Sequence, residues 1–113
     1  MADCLFCRIA AGALPTTRLY EDELVMAFAD IHPQAPVHAL LIPKRHIGST
    51  SEAVEEHAAM LGRLIVAAAE LARQQGLGNG YRLVFNTGAD GGQTVPYLHA
   101  HVLGGRHLGW PPG

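Results

Sequence analysis

Two histidines, His99 and His101, stand two residues apart in a run in which apolar side chains alternate with them. Such alternation is typical of a half-buried strand, because successive side chains of a strand point to opposite faces. We therefore predict that both imidazoles lie on one face of a strand, together with Tyr97, and that the apolar residues between them pack inward. Two histidines on a strand can also be surface residues, buried structural residues or metal ligands, so the pair alone favours catalysis only weakly.

Glycines cluster on both sides of this predicted strand, in residues 88–92 before it and at Gly104 and Gly105 after it. Glycine permits turns with positive φ and allows a ligand to approach backbone N–H groups closely. Imidazoles beside such donors favour chemistry on an anion, and we predict that this anion is a phosphate.

The elements that must position the histidines follow from periodicity and from turn residues. Ser49 and Glu52 form a capping-box pattern, and apolar residues then recur at helical spacing until Gly76, which predicts one long helix. A short helix is predicted over residues 4–11, and strands are predicted at residues 18–21, 24–31, 37–42 and 81–85, followed by the histidine strand. Such a set of elements, joined by short links, predicts an α+β fold with an antiparallel sheet.

The composition sets broad limits on the class of protein. With 113 residues, of which 49% are hydrophobic, we expect residues 1–113 to form a single domain with its own core. The formal net charge of −2 argues against binding to long nucleic acids. No apolar run approaches the roughly 20 residues that span a bilayer, and the first residues lack the pattern of a signal peptide. We therefore expect a cytoplasmic protein with no membrane partner.

Cys4 and Cys7 are the two cysteines of the chain, and they have C-x-x-C spacing. In a reducing compartment this spacing is compatible with half of a metal site, a redox pair or two buried small side chains. A thioredoxin-type role would need a βα unit around the pair, and the sequence predicts none there.

Residues 91–105, GGQTVPYLHAHVLGG, resemble the signature of the histidine triad (HIT) superfamily. The resemblance is strongest to the branch of histidine triad nucleotide-binding proteins, known as Hint. It extends over nearly the whole chain, through segments 28–38 (FADIHPQAPVH), 42–47 (IPKRHI), 80–82 (GYR), 104–106 (GGR) and 110–113 (WPPG).

The resemblance implies a HIT-like α+β fold, with a five-stranded antiparallel sheet, one long helix and one short helix. It also implies a homodimer across which the sheet continues, with residues 104–113 at the interface and the active site. The implied activity is hydrolysis of purine nucleoside 5′-phosphoramidates to a nucleoside monophosphate such as AMP, through a nucleotidyl-histidine and without a catalytic cofactor. Three alternatives stay open: a dinucleoside polyphosphate hydrolase, a nucleotide-sensing or protein-interaction module with little turnover, and a small zinc-dependent interaction domain.

The resemblance also assigns roles to individual residues. His99 matches the nucleophile, His101 matches the triad member that contacts the phosphate, and His38 supports them from a neighbouring strand. Thr94 matches a hydroxyl beside the leaving atom, where it can donate or relay a proton. The implied nucleotide contacts are Phe28 and Ile31 against the purine, Asp30 on the ribose, Asn86, Gly92, Gln93, Thr94, His99 and His101 around the phosphate side, and Trp110 near the leaving group.

Tyr97 is the one departure from the family pattern, because the first triad position normally carries histidine. If that position only orients the loop, activity should survive, and this is the outcome we predict. In related proteins a similar cysteine pair binds a structural zinc together with two histidines. The matching residues here are Cys4, Cys7 and His46, and Tyr97 stands in the place of the fourth ligand, so that only three candidates remain.

Overall fold

Residues 4–113, the part of the chain that the computed structural model describes, form one antiparallel sheet of five strands, one long helix, one short helix and two single-turn 3₁₀ helices. The predicted α+β fold with a five-stranded antiparallel sheet is therefore confirmed. None of the helices in this range is long and apolar enough to cross a membrane. In chain order the elements are α1 (Leu5–Ala10), β1 (Arg18–Glu21), β2 (Val25–Ala29), β3 (Val37–Pro43), the 3₁₀ turns Thr50–Glu52 and Glu55–His57, α2 (Ala58–Gln74), β4 (Tyr81–Phe85) and β5 (Ala100–Gly104).

The sheet is covered by α2 on one face and by α1 on the other. In β2, Val25 and Ala27 belong to the larger core that includes α2, whereas Met26 and Phe28 belong to a smaller core around Phe6 of α1. Because successive strand residues point to opposite faces, a strand that is apolar at every position must be covered on both sides. β2, which lies within the strand predicted at residues 24–31, is accordingly buried on both faces.

β5, the histidine strand, lies inside the sheet because the strand order is β1-β2-β3-β5-β4. Its residue His101 pairs with Leu40 of β3 and Val84 of β4, while His38 pairs with Leu103. His38 is therefore the diagonal neighbour of His101 on the same face, a separation that ring side chains can bridge. Antiparallel register alone thus brings two of the predicted site histidines together.

The long helix begins at Ala58, and the prediction that it starts at the Ser49 cap is wrong. The Ser49 hydroxyl oxygen accepts a hydrogen bond from the Ser51 N–H and caps a single 3₁₀ turn. The chain is then extended at Ala53 and Val54. The Glu52 carboxylate lies near the Gly48 N–H, at 3.4 Å, so the predicted reciprocal box at Ser49 does not form. Val54 and Ile65, which the apolar periodicity assigns to the buried stripe, are 57% and 54% exposed.

Asp22 fixes the turn between β1 and β2 and connects it to α2. One carboxylate oxygen accepts hydrogen bonds from the N–H groups of Leu24 and Val25, and the other accepts them from the Tyr20 hydroxyl and Arg63 Nε. Burial by itself would raise the pKa of Asp22, but these four hydrogen bonds outweigh it and hold the pKa well below its usual range.

Replacing Asp22 by asparagine is expected to lower the free energy of unfolding at pH 7 by about 1–3 kcal/mol, since four hydrogen-bond donors lose a charged acceptor. A carboxylate whose folded-state pKa is depressed stabilises the fold above its unfolded pKa of about 4, and this stabilisation is lost as the pH falls below that value. Urea unfolding from pH 7 down to pH 3 should therefore show the two proteins converging. Glu23→Gln, at an exposed neighbour, is the matched control. A gap that stays constant with pH would contradict this account.

Candidate active site

His99 lies immediately before β5, and one hydrogen bond decides which of its nitrogens carries the proton. Its Nδ1 is 2.7 Å from the carbonyl oxygen of Tyr97, two residues earlier, and the ring is 5% exposed. A carbonyl oxygen can only accept, so Nδ1 must carry the hydrogen. The lone pair of a neutral ring is then on Nε2, and this geometry provides a nucleophilic nitrogen of defined tautomer.

His38 and His101 form a second hydrogen-bonded unit beside His99. The Gln34 N–H donates to His38 Nδ1 at 3.0 Å, so the proton of a neutral His38 ring is on Nε2. That Nε2 is 2.9 Å from His101 Nδ1, which must therefore accept. The same reasoning places the proton of His101 on its outer nitrogen, Nε2. A single backbone N–H thus sets the tautomer of two rings in succession and leaves an N–H donor on His101.

Asp30, His38 and His101 also offer ligand atoms within 4.8 Å of one another, which is close enough to consider a metal ion. The Asp30 carboxylate is 3.4 Å from His38 Nε2. A metal on His38 Nε2 would force the proton of that ring onto Nδ1, where it would face the Gln34 N–H. Two donors would then point at each other without an acceptor. The cluster therefore fits a proton-bearing relay better than a metal site.

Burial is the main reason that the pKa of His101 is lowered to about 4, and the neighbouring rings of His99 and His38 lower it further. At neutral pH this ring is therefore uncharged, as the hydrogen-bond pattern requires. Phe6 packs edge-on against the His99 ring, with the ring centroids 5.1 Å apart, and restricts its rotation. The site thus combines a neutral His101 with two further imidazoles, His38 and His99, whose orientations are fixed by hydrogen bonds.

A cleft of about 460 Å³ opens onto these rings. Its walls are mostly apolar, and its polar groups include Asp30, Thr94, His99 and His101, an arrangement typical of a small-molecule site. Of the predicted nucleotide-binding residues, the cleft brings together Phe28, Asp30, Ile31, Thr94, His99 and His101.

Helix α1 forms a wall of the cleft that the sequence analysis did not identify. Leu5, Phe6 and Ile9 of this helix line the cleft, followed by Leu14, Pro15 and Thr16. The prediction of a short helix over residues 4–11 carried no information on which part of the chain this helix would contact.

Comparison with known proteins places this arrangement in a family. The family model of the HIT domain matches residues 11–108, which is most of the chain. The chain belongs to the histidine triad (HIT) family.

Individual HIT proteins resemble this chain over nearly their full length. The crystal structure of a HIT family hydrolase from Legionella pneumophila superimposes with a TM-score of 0.96 at 47% identity, covering 98% of this chain and 100% of that one. The 14 kDa zinc-binding protein of Brassica juncea is 48% identical over 113 residues, which cover 98% of this chain and 100% of that protein. A histidine triad nucleotide-binding protein from Candida albicans is 28% identical, with a TM-score of 0.82 and coverage of 96% and 83%.

Four predicted nucleotide contacts of this HIT domain, Asn86, Gly92, Gln93 and Trp110, do not line the cleft. The Asn86 side chain donates a hydrogen bond to the Gly91 carbonyl oxygen at 2.8 Å. The Gln93 side-chain amide donates to the carbonyl oxygens of Gly48 and Val95 and accepts from the Gly88 N–H. Both side chains therefore hold the glycine-rich loop in place. Trp110 is 82% exposed. Contact of these residues with a nucleotide stays a prediction.

Tyr97, at the first triad position of the HIT signature, is fully buried. Its hydroxyl donates to the Pro43 carbonyl oxygen at the end of β3, and its ring stacks on His46 with centroids 4.7 Å apart. Burial raises the pKa of Tyr97, so the hydroxyl stays protonated. Tyr97 therefore connects the end of β3 to the segment whose carbonyl orients His99.

The three residues predicted to bind zinc do converge in this HIT domain. Cys4, Cys7 and His46 offer ligand atoms within 4.8 Å of one another. His46 Nε2 donates to the Pro96 carbonyl oxygen at 3.0 Å, which leaves the lone pair on Nδ1, a tautomer fixed in the way usual for metal-binding histidines. Two thiols and an imidazole are donors that zinc prefers, so these residues fit three positions of a tetrahedral site. A zinc ion there would join the start of α1 to the loop at His46.

Proposed function

We propose that this chain is a nucleotidyl hydrolase that cleaves purine nucleoside 5′-phosphoramidates to the nucleoside monophosphate. The observation that carries the proposal is the hydrogen bond from His99 Nδ1 to the Tyr97 carbonyl oxygen, because it leaves Nε2 free to attack phosphorus. The cleft supplies an apolar wall and the outer N–H of His101 next to that ring. The names of the Legionella hydrolase and the Candida nucleotide-binding protein support the same reading.

The chemistry divides one difficult displacement into two easier ones. The lone pair of His99 Nε2 forms a bond to the α-phosphorus, while the P–N bond breaks and its electron pair leaves with the amine nitrogen, which takes a proton. Water then attacks the phosphorus and releases a proton, and the bond to His99 breaks with its electrons returning to Nε2. The His101 N–H stabilises the charge on the phosphoryl oxygens, and the Thr94 hydroxyl can relay the proton to the leaving amine.

The nucleoside would lie against the apolar part of the cleft. Ile31 is 84% exposed although it lines the cleft, so a flat purine could cover it on one side while Phe28 contributes the other wall. One Asp30 oxygen accepts the His32 N–H at 2.8 Å, and both carboxylate oxygens keep lone pairs for ribose hydroxyls. Asp30 is therefore the proposed ribose-binding residue.

If Asp30 binds the ribose, the protein should prefer adenosine 5′-phosphoramidate over its 2′-deoxy analogue by roughly 10- to 100-fold in kcat/KM, because a hydrogen bond to a charged group contributes about 1.5–3 kcal/mol. Asp30→Asn should remove most of this preference. Asp30 also lies 3.4 Å from His38, so the variant could disturb the relay as well. The 2′,3′-dideoxy analogue, which lacks both ribose hydroxyls, separates the two effects: a ribose role predicts that the variant and the original protein cleave it at similar rates. An undiminished preference in the variant would rule out the ribose role.

The proposed function is tested by following AMP release from adenosine 5′-phosphoramidate and from a diadenosine polyphosphate. Preferential cleavage of the phosphoramidate is the expected result. Preferential cleavage of the polyphosphate would instead assign this chain to the other substrate class. Tight AMP binding without release from either compound would identify a nucleotide-sensing module, and the proposal would then be wrong.

The proposed assembly is a homodimer in which the sheet continues across a two-fold axis. Among residues 4–113, β4 pairs with a strand on one side only, and an edge strand presents free backbone groups for pairing. On β4 itself the apolar ring of Tyr81 is 41% exposed. Sedimentation equilibrium should give twice the mass of the chain, and a monomer would contradict the proposal.

A further inference from the structure

We infer that Cys4, Cys7 and His46 form a metal site whose fourth position is left open by residues 4–113, because Tyr97 stands beside these donors without being a ligand. A zinc site with four protein ligands is closed and structural, whereas one with three protein ligands leaves a position for water or another small ligand. Metal binding by these residues is independent of nucleotide hydrolysis at His99.

The three donors are already arranged for a metal ion. Cys4 precedes α1 and Cys7 lies in its first turn, so one helical turn brings both thiols to the same side. The His46 ring is held by its bond to the Pro96 carbonyl oxygen, which leaves Nδ1 to bind the metal. Binding would require only that both thiols lose their protons, as metal-bound cysteines do.

Tyr97 cannot provide the fourth ligand in this arrangement. Its hydroxyl is directed to the Pro43 carbonyl oxygen at the end of β3 and donates a hydrogen bond to it. The whole residue is buried, so the hydroxyl is held in that contact. The ring also stacks on His46 and therefore shields one side of the donor set instead of binding on it.

The open position has access to solvent. A groove of about 600 Å³ is lined by Cys4 and His46, together with Glu52, Thr94 and Pro96. A water molecule or a small added ligand can therefore reach a metal held by the three donors. Glu52 is exposed and does not belong to the converging set, so its carboxylate does not close the site in this conformation.

Titration of the tag-free, reduced protein with Co²⁺ tests the inference without any nucleotide. One equivalent of Co²⁺ should give thiolate-to-metal charge-transfer absorption that Cys4→Ser and Cys7→Ser each weaken. Adding imidazole should then change the visible spectrum of the Co²⁺ protein, because the added ligand enters the open position. In Tyr97→His, which supplies an imidazole as the fourth ligand, the spectrum should not respond to added imidazole.

Zinc affinity, measured by competition with a chromophoric chelator, provides the second readout. The affinity of Tyr97→His for Zn²⁺ should be at least roughly tenfold higher than that of the original protein. Even a residue that only hydrogen-bonds a metal ligand changes metal affinity by about 10- to 100-fold. The matched control Tyr97→Phe keeps the ring but lacks the hydroxyl, and it should bind Zn²⁺ as the original protein does. Glu52→Gln should likewise leave the affinity unchanged.

Three results would overturn the inference. The first is the absence of stoichiometric Co²⁺ or Zn²⁺ binding by the original protein. The second is a combination of two findings: the Co²⁺ spectrum of the original protein does not respond to imidazole, and Tyr97→His binds Zn²⁺ no more tightly than the original protein. Together they would indicate that a fourth ligand already occupies the site. The third is a loss of affinity in Tyr97→Phe or in Glu52→Gln, which would identify that side chain as the fourth ligand.

Discussion

Replacing His99 by alanine is expected to lower the rate of AMP release by at least about 10⁴-fold, a loss typical of removing a nucleophile, while AMP binding stays close to that of the original protein. The reason is geometric. The Tyr97 carbonyl oxygen takes the Nδ1 hydrogen of this ring, and no other group that lines the cleft is shown to present a nitrogen lone pair of fixed tautomer. His101 cannot replace it, because its Nδ1 accepts from His38 and its Nε2 carries the proton.

Steady-state assays with both nucleotide substrates measure the loss, and acid quenching with a substrate labelled at the α-phosphorus traps the intermediate. In the original protein the label should be found on His99. The variant His99→Gln is the matched control, since it keeps side-chain bulk and a hydrogen-bonding amide but has no nucleophilic nitrogen. It should lose activity to the same extent with an unchanged unfolding midpoint. Label on any other residue, or turnover that persists in both variants, would refute the assignment.

Replacing His101 by alanine is expected to give the second largest effect, a loss of roughly 10²–10⁴-fold in kcat/KM, the range typical of a group that assists proton and charge transfer. The ring presents its Nε2 hydrogen because His38 donates to its Nδ1 at 2.9 Å. Protonation of His101 would put hydrogens on both nitrogens and turn this hydrogen bond into a donor–donor contact. The neutral ring is therefore the active form.

The pH dependence of this site follows from the lowered pKa of His101. Because the pKa of His101 is lowered to about 4, the contribution of this ring to kcat/KM should persist from neutral pH downward and be lost only as the pH passes through about 4. A histidine with a lowered folded-state pKa also stabilises the fold above its unfolded pKa of about 6.5, and this stabilisation is lost as the pH falls from about 6.5 to 4. NMR titration of the His101 ring and a rate profile corrected for acid hydrolysis of the substrate measure both effects.

His38→Ala is the informative companion variant. It removes the donor to His101 Nδ1 and also a neighbouring ring that lowers the pKa of His101. The acid limb of the rate profile should therefore move to higher pH, and the maximal rate should fall less than in His101→Ala. An unchanged acid limb would mean that His38 does not act through His101.

The sequence determined the strands of the sheet and the position of His101 within it, whereas His99, predicted on the same strand, lies immediately before β5. The strands predicted at residues 18–21 and 81–85 have those same bounds in the structure. Alternation along residues 98–102 assigned the apolar side chains to the α2 face, where Leu98, Ala100 and Val102 are buried. Periodicity succeeds here because a strand with one residue out of register would turn its whole apolar set toward the wrong face.

The prediction of a helix start from a local sequence pattern was wrong where two different structures satisfy the same pattern. Ser49 and Glu52 have the spacing of a helix cap, but a single 3₁₀ turn uses the same hydroxyl in the same way. Whether a helix continues beyond such a turn depends on what its next residues can bury. At Val54, which is exposed, the chain is extended, and His57 caps the following turn through its ring nitrogen.

The sequence by itself determined which residue types could do chemistry and that His101 would lie on a strand. Only the tertiary structure decided how each ring is protonated, since the Gln34 N–H and the Tyr97 carbonyl oxygen are backbone groups that every residue possesses and no motif marks. The tertiary structure also decided that α1 lines the cleft and that Tyr97 bonds to Pro43. Side-chain periodicity encodes which face is buried, whereas the partner of a hydrogen bond depends on where distant parts of the chain meet.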